Sequence, residues 1–260
     1  MKTVITTGGR PDEISRKLAI EAAEVLGYEA IERNKRSIAR IQRDYESAVL
    51  VAGSDRYDLY RIGMERPLFF HPNSAAFRLK RIVKGETDPL IDTAQLVDGD
   101  SFLDCTLGLG SDSIIASFIT GDTGRVYGIE GDADIAFITG RGLESYKSDS
   151  DVLKKAMKGV QAIHADAVSF LESQADASWD VVYIDPMFST PIEESSNFTP
   201  LRKVGLQSKL TEKWVEEAKR VSKRRVVVKD RFDSAVFDTF NFVRRVRPNT
   251  KFHFGYISKE

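Results

Sequence analysis

The sequence predicts an α/β protein: a twisted, mostly parallel sheet with helices on both faces, preceded by a small N-terminal α+β module. Three observations carry this expectation. From residue 100 onward, short β-branched runs alternate with stretches of helical period, the order that builds parallel sheets through crossovers. Acids close four successive strand candidates, at Asp104, Glu130, Asp166 and Asp185, and in an open parallel sheet the strand ends converge on one crevice. The first of these strands turns through Gly108 and Gly110 into an apolar helix, so the backbone can approach a ligand where a Cβ would collide.

Composition sets the bounds. The chain has 260 residues, 42% of them hydrophobic, enough for one large domain or two smaller ones around a full core. Charged residues make up 30% and balance to a net −1, so a polyanionic partner must be met by a local basic face. The single cysteine, Cys105, excludes an intramolecular disulfide framework and a multi-cysteine metal site. His71, His164 and His253 are scattered without metal-ligand spacing, so no metal is expected. No apolar run approaches the roughly 18 residues that span a bilayer, and the opening Lys2-Thr3-Val4-Ile5 lacks a signal-peptide pattern. A reduced, cytoplasmic protein with no membrane partner is expected.

In chain order, Val4-Ile5-Thr6-Thr7 reads as a short strand and Gly8-Gly9-Arg10-Pro11 as a turn. Residues 12–26 place apolar side chains at 14, 18, 22, 25 and 26, a helical period closed by Gly27. A basic helix is predicted over 35–45, with Ile38 and Ile41 inward and Arg33, Lys35, Arg36, Arg40 and Arg43 outward. Residues 48–52, 57–62 and 68–70 read as strands, and 74–83 as a helix bearing Arg78, Lys80 and Arg81. The polar stretch at 84–89 predicts a junction, dividing the chain into a module over 1–88 and a domain over 89–260. A helix over 91–96 leads into the glycine loop, followed by helix 113–119 and strand 126–130. Helices 133–145 and 152–157, strand 160–164, helix 167–173 and the buried strand 179–184 come next. Residues 189–208 are polar, contain Pro191 and Pro200, and read as a mobile loop over the site. Helix 211–221, strand 225–229, an apolar-basic alternation over 240–246 and a final strand over 251–257 end the chain.

The candidate chemistry sits at the strand ends. Glu130, 20 residues after Gly110, falls where a carboxylate accepts hydrogen bonds from both ribose hydroxyls. A dinucleotide fingerprint wants a third glycine near position 113, where Ser113 stands. A nucleoside without a pyrophosphate therefore fits better, and S-adenosylmethionine (SAM) is the expected cofactor. Asp166 has an equal claim to being a helix N-cap. Asp185-Pro186-Met187-Phe188 resembles the acid-Pro-Pro-aromatic loop of enzymes that methylate exocyclic base amines. An aryl amine is a weak nucleophile because its lone pair is delocalised into the ring. An acid and a carbonyl beside the proline can hold its N–H groups and favour a pyramidal nitrogen facing the methyl donor. Pro186 would keep those acceptors in place, and Phe188 would stack on an extruded base.

Lys229 ends a buried strand, where it would either neutralise a phosphate or pair with Asp185. Between residues 219 and 251 there are 11 Lys or Arg against 3 Asp, a bias toward a polyanion. Arg36, Arg40, Arg78, Lys80, Arg81 and Lys229 are the candidate RNA contacts. Cys105, inside the glycine loop, reads as a small buried residue.

The opening Ile5-Thr6-Thr7, Arg10-Pro11 and Arg33-Asn34-Lys35 is similar to the start of Brix-type ribosome-biogenesis modules, which implies that residues 1–88 help dock RNA. A longer resemblance rests on Asp104-x-Thr106-x-Gly108-Leu109-Gly110-x-Asp112, on Asp180-Val181-Val182-Tyr183-Ile184-Asp185-Pro186-Met187-Phe188 and on Arg224-Arg225-Val226-Val227-Val228-Lys229. In order and spacing over about residues 75–257, these resemble the bacterial small-subunit (16S) ribosomal RNA guanine-N2 methyltransferase family. Met187, where most amino-methyltransferases carry a second proline, singles that family out. The resemblance implies a Rossmann-like class I methyltransferase fold with a seven-stranded sheet, SAM as cofactor, and ribosomal RNA or the 30S particle as substrate. By position it implies that Asp104, Gly108, Gly110, Ser111 and Asp112 surround SAM in the loop. Glu130 and Gly131 would hold the ribose, Asp166 and Ala167 would border the adenine, and Asp185 would face both methyl donor and amine. The chain departs from that family at Asp230-Arg231, where Arg-Pro is usual, and at Glu193-Glu194, where a basic stretch is usual. Two rival readings are an amino-methyltransferase of another base or a small molecule, and a non-catalytic RNA-binding assembly factor that retains a SAM pocket.

Overall fold

Two sheets carry the chain in the computed structural model, which describes residues 2–186, 209–248 and 250–259. Strand β1 (Thr3–Thr7) pairs in parallel with β2 (Ala48–Ala52), and β3 (Tyr57–Tyr60) joins β2 antiparallel. The crossover from β1 to β2 holds helices α1 (Glu13–Leu26) and α2 (Ile38–Tyr45). A capping box starts α1: Asp12 Oδ1 accepts from the Ser15 amide at 2.7 Å, and Ser15 Oγ accepts from the Asp12 amide at 3.0 Å. Gly27, with φ 67°, stops it. The basic helix begins later than its sequence predicts, because Asn34 and Lys35 form a left-handed turn (φ 46° and 58°) and Ser37 is the N-cap. Residues 68–70 form no strand. Leu68 makes an isolated bridge to Leu59, and Pro67 before it has no N–H with which to extend the ladder.

Helices α3 (Asn73–Val83) and α4 (Pro89–Ala94) lead to the second sheet. Its strands are β4 (Ser101–Asp104), β5 (Arg125–Glu130), β6 (Val160–His164), β7 (Trp179–Ile184), β8 (Ser222–Arg231), β9 (Val243–Arg245) and β10 (Phe252–Ser258). They lie in the order β6-β5-β4-β7-β8-β10-β9. The first five are parallel, and β10 runs antiparallel between β8 and β9. Helices α5 (Ser111–Thr120), α6 (Ala133–Ser145), α7 (Asp151–Lys158), α8 (Ala167–Glu172), α9 (Glu212–Val221) and α10 (Val236–Thr239) accompany them. This is the predicted mostly parallel α/β architecture, with the strand arrangement of Rossmann-like class I methyltransferases. Central strands such as Val181-Val182-Tyr183-Ile184 are apolar on both faces because helices cover both.

One apolar core joins the two sheets: Ile5, Leu50, Leu59 and Phe70 belong to the same cluster as Phe102, Val126, Ile135 and Val181. A second core, around Trp179, Val182, Trp214 and Val226, fills the other face of the large sheet. The chain runs outward from β4 to β6 on one side, then returns to β7 and β8 on the other. The crevice at the carboxyl ends of β4, β5 and β7 lies at that reversal.

Candidate active site

A cleft of about 630 Å³ opens at these strand ends. Asp104, at the end of β4, is buried, accepting from the Thr106 amide at 2.9 Å and the Ser113 hydroxyl at 2.6 Å. Ser113, at the position a dinucleotide fingerprint gives to a third glycine, thus satisfies a buried acid with its hydroxyl. Burial pushes the Asp104 carboxyl up to about 7, opposed by the hydrogen bonds from Ser113 and Thr106. Gly108 (φ 52°) and Gly110 (φ 73°) turn the chain into α5. The Gly108 amide donates to Glu130 Oε2 at 3.0 Å, and the Asp132 amide donates to Oε1 at 2.9 Å. Glu130 is thus aimed by backbone from two directions, while burial raises its pKa. Thr139 Oγ1 donates to the Gly108 carbonyl at 2.6 Å, tying the loop to α6. Gly128 leaves room on β5 for the loop residue Leu107, which a Cβ there would strike.

The other side of the cleft is built from side-chain charges. Arg78, on α3, donates from Nε and Nη2 to Asp88, each at 2.8 Å, and from Nη1 to Asp112 Oδ1 at 2.5 Å. Asp112 Oδ2 accepts from the Tyr183 hydroxyl at 2.8 Å and from Lys229 Nζ at 3.2 Å. Lys229 Nζ also lies 2.5 Å from Asp185 Oδ2, and the Asp185 amide donates to Thr106 Oγ1 at 2.7 Å. Anions and cations alternate along Asp88, Arg78, Asp112, Lys229 and Asp185. Burial alone would raise Asp112, but Lys229 and Arg78 hold it well below the usual carboxylate range. Burial would likewise lower Lys229, yet Asp112 and Asp185 hold it above the usual lysine value. Asp185 is raised by burial, against the opposing pull of Lys229.

This network engages two of the candidate basic residues. Arg78 faces inward, not toward an outer RNA-binding face, because two buried carboxylates need its guanidinium. Lys229 pairs with Asp185, one of the two roles its position suggested, and also with Asp112, so its ammonium is held by two anions. Asp112, named as a cofactor contact, has both oxygens engaged by three side-chain donors.

Ser111, Gly131, Ala167 and Pro186 line the cleft. Ser111 Oγ is buried and has no hydrogen-bond partner among the described residues. Asp166 borders the cleft and is the N-cap of α8, accepting from the Ser169 amide at 2.8 Å. Gly110 sits at the N-cap of α5, behind the lining. Met187, Phe188 and the expected loop over 189–208 lie outside the described residues. Arg36 folds back to donate to the Glu32 carbonyl at 2.7 Å, Arg40 pairs with Asp44 at 3.7 Å, and Lys80 is exposed; none of the three lines the cleft. Arg81 does, while pairing with Glu86 at 2.7 Å.

Sequence reasoning missed Lys209, Arg247, Phe252 and Phe254, which reach the cleft from the last quarter of the chain. The alternation Phe252-x-Phe254 in a terminal strand was the available signal, since it puts both rings on one face. Lys229 Nζ lies 5.2 Å from the centre of the Phe252 ring. The basic bias of residues 219–251 is in large part internal pairing: Arg220 with Asp176 and Glu217, Lys223 with Asp180, Arg224 with Asp100, and Arg231 with Asp233. Cys105 is buried, and burial raises its thiol pKa, which makes it inert at neutral pH. Among the described residues no group of three His, Cys, Asp or Glu could hold a metal, and no helix is long and apolar enough to cross a membrane.

Residues 35–240 match the family described as "Putative SAM-dependent methyltransferase". The chain is 40% identical over 254 residues to the "Uncharacterized protein YpiP" of Bacillus subtilis (strain 168), covering 98% of each. Its fold is similar to the crystal structure of the SAM-dependent methyltransferase NGO1261 from Neisseria gonorrhoeae, with a TM-score of 0.60, 17% identity, and coverage of 98% of this chain and 95% of that one. The cleft suits SAM: it offers the unpartnered Ser111 hydroxyl and the carboxylate of Glu130, oriented by backbone amides.

Proposed function

The chain belongs to this family of SAM-dependent methyltransferases, and we propose that it methylates the exocyclic N2 amine of a guanine in small-subunit ribosomal RNA. SAM, when bound, supplies an electrophilic methyl group on a sulfonium. In this reading Glu130 and Gly131 hold the ribose hydroxyls, and Asp166 and Ala167 border the adenine. Ser111 and the first amides of α5 take the polar amino-acid end. Asp104, Gly108 and Gly110 shape the loop between them, and Asp112 acts from behind by holding Lys229.

The observation that carries the proposal is Asp185: a carboxylate in the cleft at the end of β7, followed by Pro186 and held by Lys229 at 2.5 Å. The paired ammonium favours the carboxylate form of Asp185 against the effect of burial and fixes one oxygen, leaving the other to accept an amine N–H. That contact orients the nitrogen lone pair, and the amine proton leaves to water after transfer. Phe188 is assigned to stacking on the base. Arg81, Lys209 and Arg247 at the cleft supply positive charge for the RNA backbone. Residues 1–88, with Arg36, Arg40 and Lys80, are assigned to docking the RNA.

The test is methyl transfer from tritiated SAM to purified 30S subunits and to naked ribosomal RNA, with nucleoside analysis. N2-methylguanosine is expected, with kcat reduced at least ~10²-fold in Asp185→Ala, the scale of removing one preorganised transition-state contact. Binding of S-adenosylhomocysteine without transfer to either RNA would overturn the ribosomal acceptor. Label on an adenine or cytosine amine would move the proposal to another base.

A further inference from the structure

Two side chains at the N-terminal sheet, from Thr3 and Arg61, reach the start of α6 just after Glu130. Arg61, directly after β3, is 7% exposed. Its Nη2 lies 2.7 and 2.6 Å from the two oxygens of Asp132, and its Nη1 lies 3.0 Å from Asp134 Oδ2. Thr3 Oγ1, on β1, donates to that same Asp134 oxygen at 2.8 Å. Asp132 is the N-cap of α6, its Oδ1 accepting from the amides of Asp134 at 3.0 Å and Ile135 at 3.2 Å. Its own amide makes the 2.9 Å bond to Glu130 Oε1. A single residue therefore separates the Arg61 guanidinium from the Glu130 carboxylate.

The rest of α6 is packed against the same unit. Tyr57 meets Phe137 edge-on with ring centres 4.9 Å apart, and Glu21 pairs with Arg141 at 2.5 Å. Gly142 admits the Phe70 ring so closely that a Cβ would strike it. Two acids at the start of one helix repel each other, and facing inward together requires a cation between them. Arg61 is that cation, and the methyl-transfer chemistry itself makes no use of it.

We infer that Arg61 is a positioning residue for the cofactor: through Asp132 it fixes the loop that aims Glu130, making the N-terminal unit part of the SAM site. This rests on the reading that Glu130 holds the ribose. Lysine at position 61 keeps the charge but cannot span both carboxylates as the guanidinium fork does.

The test is calorimetric binding of S-adenosylhomocysteine to Glu130→Gln, Arg61→Lys and the double variant. Glu130→Gln and Arg61→Lys are each expected to weaken binding by about three- to tenfold, the range for residues within one hydrogen-bond network. The double variant should bind within about twofold of Glu130→Gln, because both changes act through one carboxylate. Unchanged affinity in Glu130→Gln would sink the ribose reading itself. A weakened Glu130→Gln beside an unchanged Arg61→Lys, or effects that multiply in the double variant, would overturn only the role of Arg61. Hydrogen exchange on the unmutated protein decides the matter if the variant fails to fold. S-adenosylhomocysteine should slow exchange at residues 132–135 and also in β3; protection confined to the loop overturns the inference.

Discussion

Glu130 and Asp185 end the two strands that flank β4, and they are held by opposite means. Glu130 is oriented by two backbone amides, from Gly108 and Asp132. Asp185 is held by Lys229, which Asp112 shares and behind which Arg78 and Asp88 follow. Backbone amides fix a carboxylate's direction and leave lone pairs for neutral hydroxyl donors. A paired ammonium additionally opposes the neutral form that burial favours. One side of the cleft is thus set by loop geometry and the other by charge balance, so the two should fail differently.

The largest expected effect lies on the charged side. Lys229→Met leaves Asp112 and Asp185 buried without the ammonium between them, and should cost about 3–5 kcal/mol in urea unfolding. Glu130→Gln should cost no more than about 1–2 kcal/mol, because at least one backbone donor keeps an acceptor. Equal losses in the two variants would erase the contrast.

An intermediate effect is expected from pH. The depressed Asp112 contributes stability that is fully present above its unfolded value of about 4, and that is lost as pH falls through its lower folded value. Asp104 acts in the opposite sense. With its folded pKa raised to about 7, the native state holds a proton that the unfolded chain has released. Its contribution is full below about pH 4 and is lost as pH rises toward 7. Denaturant midpoints between pH 4 and 8 should therefore fall with rising pH in the unmutated protein relative to Asp104→Asn. Parallel profiles would show that Asp104 ionises normally.

The smallest effect belongs to the rim. Arg247→Ala should weaken RNA binding and reduce the salt slope of log K by about 0.7–0.9, the share of one phosphate contact, with S-adenosylhomocysteine affinity unchanged. An unchanged slope would remove Arg247 from the RNA path.

The two sides also differ in how far they could be read from the chain. The backbone-held side was largely visible, since two glycines and the acid 20 residues beyond Gly110 are local signals, although Asp132, the capping acid of α6, was not singled out. Another surprise there was Ser113, whose partner Asp104 lies nine residues away. The charge-held side was read only in part: the pairing of Lys229 with Asp185 was one of two roles weighed, and the inward turn of Arg78 was not foreseen. Arg78 shares the helical face of Ala75, Leu79 and Ile82, a spacing that sets it apart from the exposed Lys80 and Arg81 and that the sequence reading did not apply. Phe252 and Phe254 read as a closing strand, but their presence in the cleft depends on β10 inserting between β8 and β9.

Alternating strands and helices, the turns at Gly27, Gly108 and Gly110, the helix caps and the acids at the strand ends were determined by the sequence alone. Each follows from backbone geometry or hydrogen bonding within a few residues. The tertiary structure decided which charges meet. Arg78 finds Asp112 across 34 positions, Arg61 finds Asp132 across 71, and Lys229 finds Asp112 across 117. A buried charge must have a counter-charge, but packing alone selects which of many Lys, Arg, Asp and Glu residues supplies it.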